Sequence, residues 1–373
     1  MSTGVVEDII TGLSRIKWLF VIARNSSFAY KGKSPDIRQV GRELGVRYVL
    51  EGSVRRAAGR VRITGQLVEA ESGRHIWAER YDRALDDVFA LQDEITASAV
   101  GAIEPSLRQA EIDRVRRKRP DSLDAYDLVL RAIPFVDPPM PDGASQALRL
   151  LQQALTHEPD YALAHGYAAF CHEILFHRAG SGEENRRAAI HHAHAAIRHG
   201  RDDAMALTFG GFCIGMVEHD RTAAREAFEA AVALSPSSAF TYIMGGVVRG
   251  WAGEAERAVE WGEQALRLSP FDPSAFGAWL AVALARFGQA RYEDAANAAR
   301  KAIQRNPGFS NLHVVLAAAL VKLGHIDEAK VAAARVLALQ PGFRIAEFCA
   351  VNDPAPEIAA PMTEALRAAG LAE

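Results

Sequence analysis

Apolar side chains recur at helical spacing in the opening stretch, where Val5, Val6, Ile9, Ile10, Leu13 and Ile16 share one face and predict a helix over residues 5–16. The unbroken apolar run that follows, residues 18–23, predicts a buried strand. A second helix is expected over residues 35–44, with Ser34 as its cap, Pro35 at its first position and Gly45 closing it. Alternating apolar and polar positions then predict strands over residues 48–55, 61–70 and 75–81, joined by turns that carry Gly59 and Gly73. A long helical pattern over residues 85–117, interrupted by Pro105, completes an α+β domain at residues 1–118.

Beyond it the periodicity is helical throughout, and prolines mark a ruler. Pro236 and Pro270 stand 34 residues apart, as do Pro307 and Pro341. Within the blocks so defined, small residues recur at fixed places: Gly245, Gly246, Ala258 and Ala265 in one, Ala283, Ala295, Ala299 and Ala302 in the next, Ala317, Ala329 and Ala333 in the third. This resembles the tetratricopeptide repeat, two helices with small residues where they cross and a proline after the second. Gly211, Ala224, Phe228 and Ala231 before Pro236 give a fourth repeat. Two irregular repeats precede it, one using Ala147, Leu151, Ala154 and Pro159 after an extended stretch at residues 134–141, the other using residues 161–177 and 185–199. The expected organisation is a linker and irregular helix at 119–145, about six repeats over 146–342 (irregular over 119–203), and a capping helix and tail at 343–373. The fold class expected is therefore an α+β N-terminal domain followed by an all-α tetratricopeptide superhelix, mostly α overall.

Composition narrows the function. The 373 residues are 49% hydrophobic and 24% charged, enough apolar surface for sizeable cores. A net charge of −3 provides no general attraction to nucleic acid or to anionic membrane. The apolar run at 18–23 is far short of the ~20 residues that span a bilayer, so no membrane insertion is expected. Cys171, Cys213 and Cys349 each sit in a helical apolar pattern, as buried thiols of a cytoplasmic protein do.

The front domain carries a second resemblance. Ala23-Arg24-Asn25-Ser26-Ser27-Phe28 with Tyr30-Lys31-Gly32, residues 43–53 (Glu-Leu-Gly-Val-Arg-Tyr-Val-Leu-Glu-Gly-Ser), Arg62-Ile63-Thr64 and His75-Ile76-Trp77-Ala78-Glu79 occur in order at close spacing. They resemble the TolB-like amino-terminal domain, over roughly residues 4–118. In bacteria that domain often lies between an output domain and tetratricopeptide repeats, the output being a class III adenylate or guanylate cyclase or a winged-helix DNA-binding domain. The family has a strand and a loop ahead of the helix that begins here near Gly4. The resemblance thus implies a regulatory portion of such a signalling protein, lacking the cyclase domain itself and the front domain's first strand, with a cyclase or other output protein as its partner.

A direct search for chemistry finds no Gly-x-x-x-x-Gly-Lys loop and no Gly-x-Ser-x-Gly elbow, and no catalytic residue or cofactor is expected. His172 and His177 are one residue too far apart for a zincin pair, since a five-residue step turns ~140° about a helix axis. His191 and His194, three apart on one helix, are the candidate metal ligands, with a solvated histidine-rich face as the alternative. Arg114, Arg116, Arg117, Lys118 and Arg119 read as the basic end of a long helix.

The repeat resemblance implies a concave groove lined by the first helix of each repeat, through its second, fifth, ninth and twelfth positions. Here those are Ala206, Phe209, Cys213 and Met216, then Phe240, Ile243 and Val247, then Leu280, Leu284 and Phe287. Nearly all are apolar, so the expected partner is a protein or peptide with an apolar segment, in the groove of a scaffold. That segment could be the chain's own front domain or tail. Displaced by one position, the same residues would be packing between repeats.

Overall fold

A computed structural model describes residues 2–22, 26–27, 30, 35–57, 60–84, 88–118, 123–137, 139–179, 182–270 and 272–373. Two compact units emerge, Met1–Lys118 with Ser235–Ser237, and Arg119–Leu234 with Ser238–Glu373.

In the first unit, helix α1 (Ser2–Ser14) and helix α2 (Ile37–Leu44) precede strands β1 (Tyr48–Ala57), β2 (Arg60–Glu69) and β3 (His75–Ala84), and helix α3 (Val88–Val115) follows. The strands form one antiparallel sheet in the order β1-β2-β3, with Tyr48 opposite Glu69 and Leu67 opposite Trp77. Their pleat sends Val61, Ile63 and Leu67 of β2 into the core, as the alternation requires. Helix α2 is capped by Asp36, whose side chain accepts from the Arg38 N–H, and it ends at Gly45 with φ 66°. Ser34, the cap expected from the sequence, and the turn at Ala58 and Gly59 lie outside the described residues. Gly12 lets α1 lie against α3, because a Cβ there would stand 2.8 Å from Val100 Cγ2.

Two sequence expectations change. Of the strand expected over 18–23, Ala23 lies outside the described residues and 18–22 form no strand: among the described residues β1 pairs with β2 alone, so the run has no ladder to join. Trp18 instead packs on the core beside the Arg108 guanidinium, while Phe20 is 85% exposed. Helix α3 continues through Pro105, the proline expected to interrupt it. Glu111, 3% exposed, joins α3 to the sheet by accepting from Arg47, Tyr48 and Arg114. Burial raises its proton affinity, but those three donors outweigh burial and hold it below the ordinary carboxylate value.

The second unit is a stack of helical hairpins: α4 (Ala125–Val136) with α5 (Pro141–His157), α6 (Ala162–Ala179) with α7 (Gly182–His199), α8 (Ala204–Cys213) with α9 (Arg221–Leu234), α10 (Ala239–Trp251) with α11 (Ala255–Leu268), α12 (Ala275–Gly288) with α13 (Tyr292–Arg305), and α14 (Ser310–Lys322) with α15 (Ile326–Leu339). Two further helices, α16 (Ile345–Asn352) and α17 (Pro356–Ala368), close the chain. Helix α4 runs past Pro134 to Val136, further than its proline suggested, because a proline in a last turn costs only one internal hydrogen bond. The recurring small residues lie where helices cross. Ala147, Ala154, Ala224, Ala231, Ala258, Ala295 and Ala302 are fully buried, and a Cβ on Gly245 would stand 2.2 Å from the Trp261 ring. No helix among the described residues is long and apolar enough to cross a membrane.

Candidate functional site

The first helices of the hairpins are apolar nearly all round, so they must be covered on more than one side. In α8 the side chain of Asp203 accepts from the Met205 and Ala206 N–H groups, fixing the start of the helix. Its far end widens into a π turn, Ile214–Glu218, which stops at His219 in a left-handed conformation, φ 63°. Arg221 lies just beyond. One of its terminal nitrogens donates to the Gly215 carbonyl, and the other to the carbonyls of Asn352 at 2.9 Å and Asp353 at 3.2 Å. A single guanidinium therefore holds the π turn to a segment 131 residues away.

That segment runs along the ends of the first helices. Phe348 of α16 meets the buried Trp251 ring edge-on, centroids 5.7 Å apart, and the Ala355 N–H donates to the Trp251 carbonyl at 2.8 Å. Gly253, after α10, leaves room for it, since a Cβ there would stand 2.9 Å from the Ala355 Cβ. Ile358 passes over Gly288 at the end of α12, and Lys322 at the end of α14 donates to Glu364. Ile358, Met362, Ala365 and Leu366 of α17 are fully buried against this face. The segment closes on itself where the Ile345 N–H donates to the Ala372 carbonyl at 3.0 Å. Residues 343–373 thus do more than cap the last hairpin: they turn back across the first helices of earlier ones.

Residues expected to line the groove lie within the stack of hairpins. Phe209, Cys213, Met216, Ile243, Val247, Leu280, Leu284 and Phe287 are buried, and Phe240 is half-buried. They join successive first helices: Phe209 packs on Tyr167 and Phe240, Ile243 lies against Gly277, and Leu284 against Gly250. Close helix approach at the glycines draws these positions inward, leaving the helix ends as the surface that meets another segment.

Residues 286–350 match the tetratricopeptide repeat family. The tetratricopeptide stack also resembles solved structures. One is the APC/C hetero-tetramer Cut9-Hcn1, 16% identical with a TM-score of 0.51 over 75% of this chain and 55% of that one. Another is a monomeric mutant of IFIT1 with Gppp-AAAA, 12% identical with a TM-score of 0.52 over 77% of this chain and 70% of that one. Both likenesses concern the fold alone. A curated protein from Rhizobium meliloti (strain 1021), described as a putative adenylate cyclase 3, is 52% identical over 162 residues. The match takes in 43% of this chain and 28% of that protein, so the chain spans under a third of its relative's length.

Histidines cluster in the second tetratricopeptide hairpin. His191 and His194 are exposed on α7 beside an open cavity of about 540 Å³ that Arg198 and Arg201 also line. His194 Nε2 pairs with Glu218 at 2.8 Å, and His191 lies against the His192 ring. Among the described residues no three His, Cys, Asp or Glu side chains converge as a metal would require. His172 pairs with Asn185, and His177 with Glu173 at 3.0 Å. Burial works against a charge on His177, but the Glu173 carboxylate outweighs it and lifts the imidazole above its ordinary value. Burial pushes the Cys171 thiol up to about 12 and raises Cys213 well above its ordinary value, so neither is a nucleophile at neutral pH, while Cys349 is half-buried. In the basic cluster Arg114 pairs with Glu111 and Arg116 with Asp113, as a helix end does; Arg119 lies outside the described residues.

Sequence reasoning missed Arg221, and it offered the tail only as one of two internal occupants of the groove. Asp353-Pro354-Ala355-Pro356 was the available signal, a turn that stops one helix and starts another.

Proposed function

We propose that this chain is a non-catalytic protein-interaction module of a bacterial signalling system, with its tetratricopeptide repeats as the binding part. The observation that carries the reading is the row of first helices, whose ends already hold the chain's own C-terminal segment across them. Such a row is a ready site for a protein segment with an apolar helix, and the expected groove residues hold its helices against one another. The relative described as a putative adenylate cyclase supports the signalling context and favours a cyclase as the output. The front unit is proposed as a TolB-like regulatory domain, on the motifs at residues 43–53 and 75–79. A cytoplasmic setting accords with three cysteines that form no disulfide.

The test measures cyclic AMP formation by the purified Rhizobium meliloti relative, alone and with this chain added at micromolar concentration. The chain alone should convert no ATP, and its addition should change the relative's rate. Cyclic AMP made by the chain alone would overturn the non-catalytic reading. An unchanged rate, with no complex by sedimentation, would overturn the cyclase connection.

A further inference from the structure

The C-terminal segment does not continue the repeat. After α15 the chain reverses, and Asn352 and Asp353 reach Arg221, beyond the end of α8, rather than the last hairpin. A capping helix covers only the exposed face of its own neighbour; this segment packs on α14 and also spans the ends of α8, α10 and α12, as a bound peptide would. Its hold on the wall is polar at one end and apolar at the other. Arg221 grips backbone carbonyls only, and the Trp251 carbonyl takes a backbone N–H. Neither contact depends on the identity of a side chain in the segment. Beyond them an apolar stripe, Ile358, Met362, Ala365 and Leu366, seats the helix.

The junction is also strained. His219 and Asp353 both adopt left-handed backbone, φ 63° and 44°, a conformation that residues other than glycine take at a cost, and their side chains face each other at 3.9 Å. Strain placed where the segment meets the wall opposes its seating.

We propose that residues 343–371 are a built-in occupant of the partner site, and that a partner binds by displacing them. The partner segment has the chemistry of the one it replaces: a proline-bearing turn that offers backbone carbonyls to Arg221 and an N–H to Trp251, followed by a helix with an apolar stripe of the Ile358, Met362 and Leu366 kind. The inference rests on the interaction-module reading and adds self-occupancy to it. Tethering places the segment at an effective concentration on the order of millimolar, so a competitor in trans meets an occupied site until the segment is weakened.

The experiment uses the full chain, its Ile358→Asp, Leu366→Asp variant and a fluorescein-labelled peptide of residues 343–373, read by fluorescence anisotropy. The variant leaves the wall intact and weakens only the occupant, so it should bind the peptide at least tenfold more tightly than the parent. A peptide carrying the same two substitutions should not bind. Equal affinity for the two chains, or no binding by a variant whose circular dichroism retains the helices, would overturn the proposal. Hydrogen exchange on the unmodified chain decides independently of how the variant folds. Amides of α16 and α17 should exchange at least tenfold faster than those of α12 and α14, and exchange in one phase with those helices would overturn self-occupancy. A chain that changes the cyclase rate while its variant ignores the peptide would retain the interaction module and remove only this inference.

Discussion

Acid should destabilise the second unit through one half-buried histidine, His192. His165 Nε2 lies 2.9 Å from the Pro159 carbonyl, which can only accept, so His165 carries its proton on Nε2 and accepts at Nδ1. His192 Nδ1, 2.8 Å from that atom, is therefore the donor, and its ring also stacks on His172 with centroids 5.7 Å apart. Burial, then the neighbouring His165, His172 and His191, push the His192 imidazole down to about 3. The unfolded chain takes up a proton below about 6.5 and the folded one does not, so stability is full above that pH and is lost as pH falls toward 3. At pH 5 the loss from this one group is about 2 kcal/mol, from RT ln(1 + 10^1.5). His192→Gln keeps a donor toward His165 and removes the titration. Urea unfolding by far-ultraviolet circular dichroism at pH 7.5 and pH 5 should show the parent losing about 2 kcal/mol more than the variant over this interval. Equal losses would refute the assignment, because every other titrating group is common to both chains.

Gly245→Ala should destabilise the repeats by about 1–3 kcal/mol despite alanine's better helix propensity, since overpacking against the Trp261 ring outweighs it; a lowered melting temperature checks this. Glu111→Ala should cost the first unit about 1–3 kcal/mol, less than the ~3–5 kcal/mol of a fully buried pair that is broken, because Arg47 remains 60% exposed and can reach water. The readout is faster hydrogen exchange at the β1 amides; unchanged exchange would remove Glu111 as the anchor. Iodoacetamide at neutral pH should modify Cys349 and leave Cys171 and Cys213 unreacted in the folded chain, as their raised thiols and burial require. Arg221→Ala should speed Cys349 labelling severalfold, because α16 loses its hold on the π turn; an unchanged rate would show that the guanidinium does not hold the segment.

Local patterns in the chain were enough for most of the helices, the three strands and the repeat, but not for α16. Small residues every 34 positions mark where two helices must cross, and Gly245 against Trp261 shows why a larger side chain is excluded. The strand expected at residues 18–23 is not formed over its described residues 18–22, because an apolar run states only that a segment is buried, while a strand also needs a neighbour to pair with. The expected groove rests on an ambiguity of the same kind. Apolar positions on a first helix can face the groove or the next repeat, and periodicity alone does not separate them.

What separates them is close approach. Gly277 and Gly250 admit Ile243 and Leu284 from neighbouring first helices, which turns the apolar positions into packing and hands the outward role to the helix ends. There the chemistry is mostly backbone: the carbonyls of Gly215, Asn352 and Asp353 on Arg221, and the carbonyl of Trp251 on Ala355. Backbone groups leave no signature in a sequence, since every residue carries them. Arg221 alone among these contacts has a distinctive side chain, and one arginine after a helix looks like many others. A site built this way favours segments by their shape and apolar stripe rather than by charge. That is also why the chain's own C-terminus can occupy it, and why a partner with a different sequence but the same turn and stripe can compete.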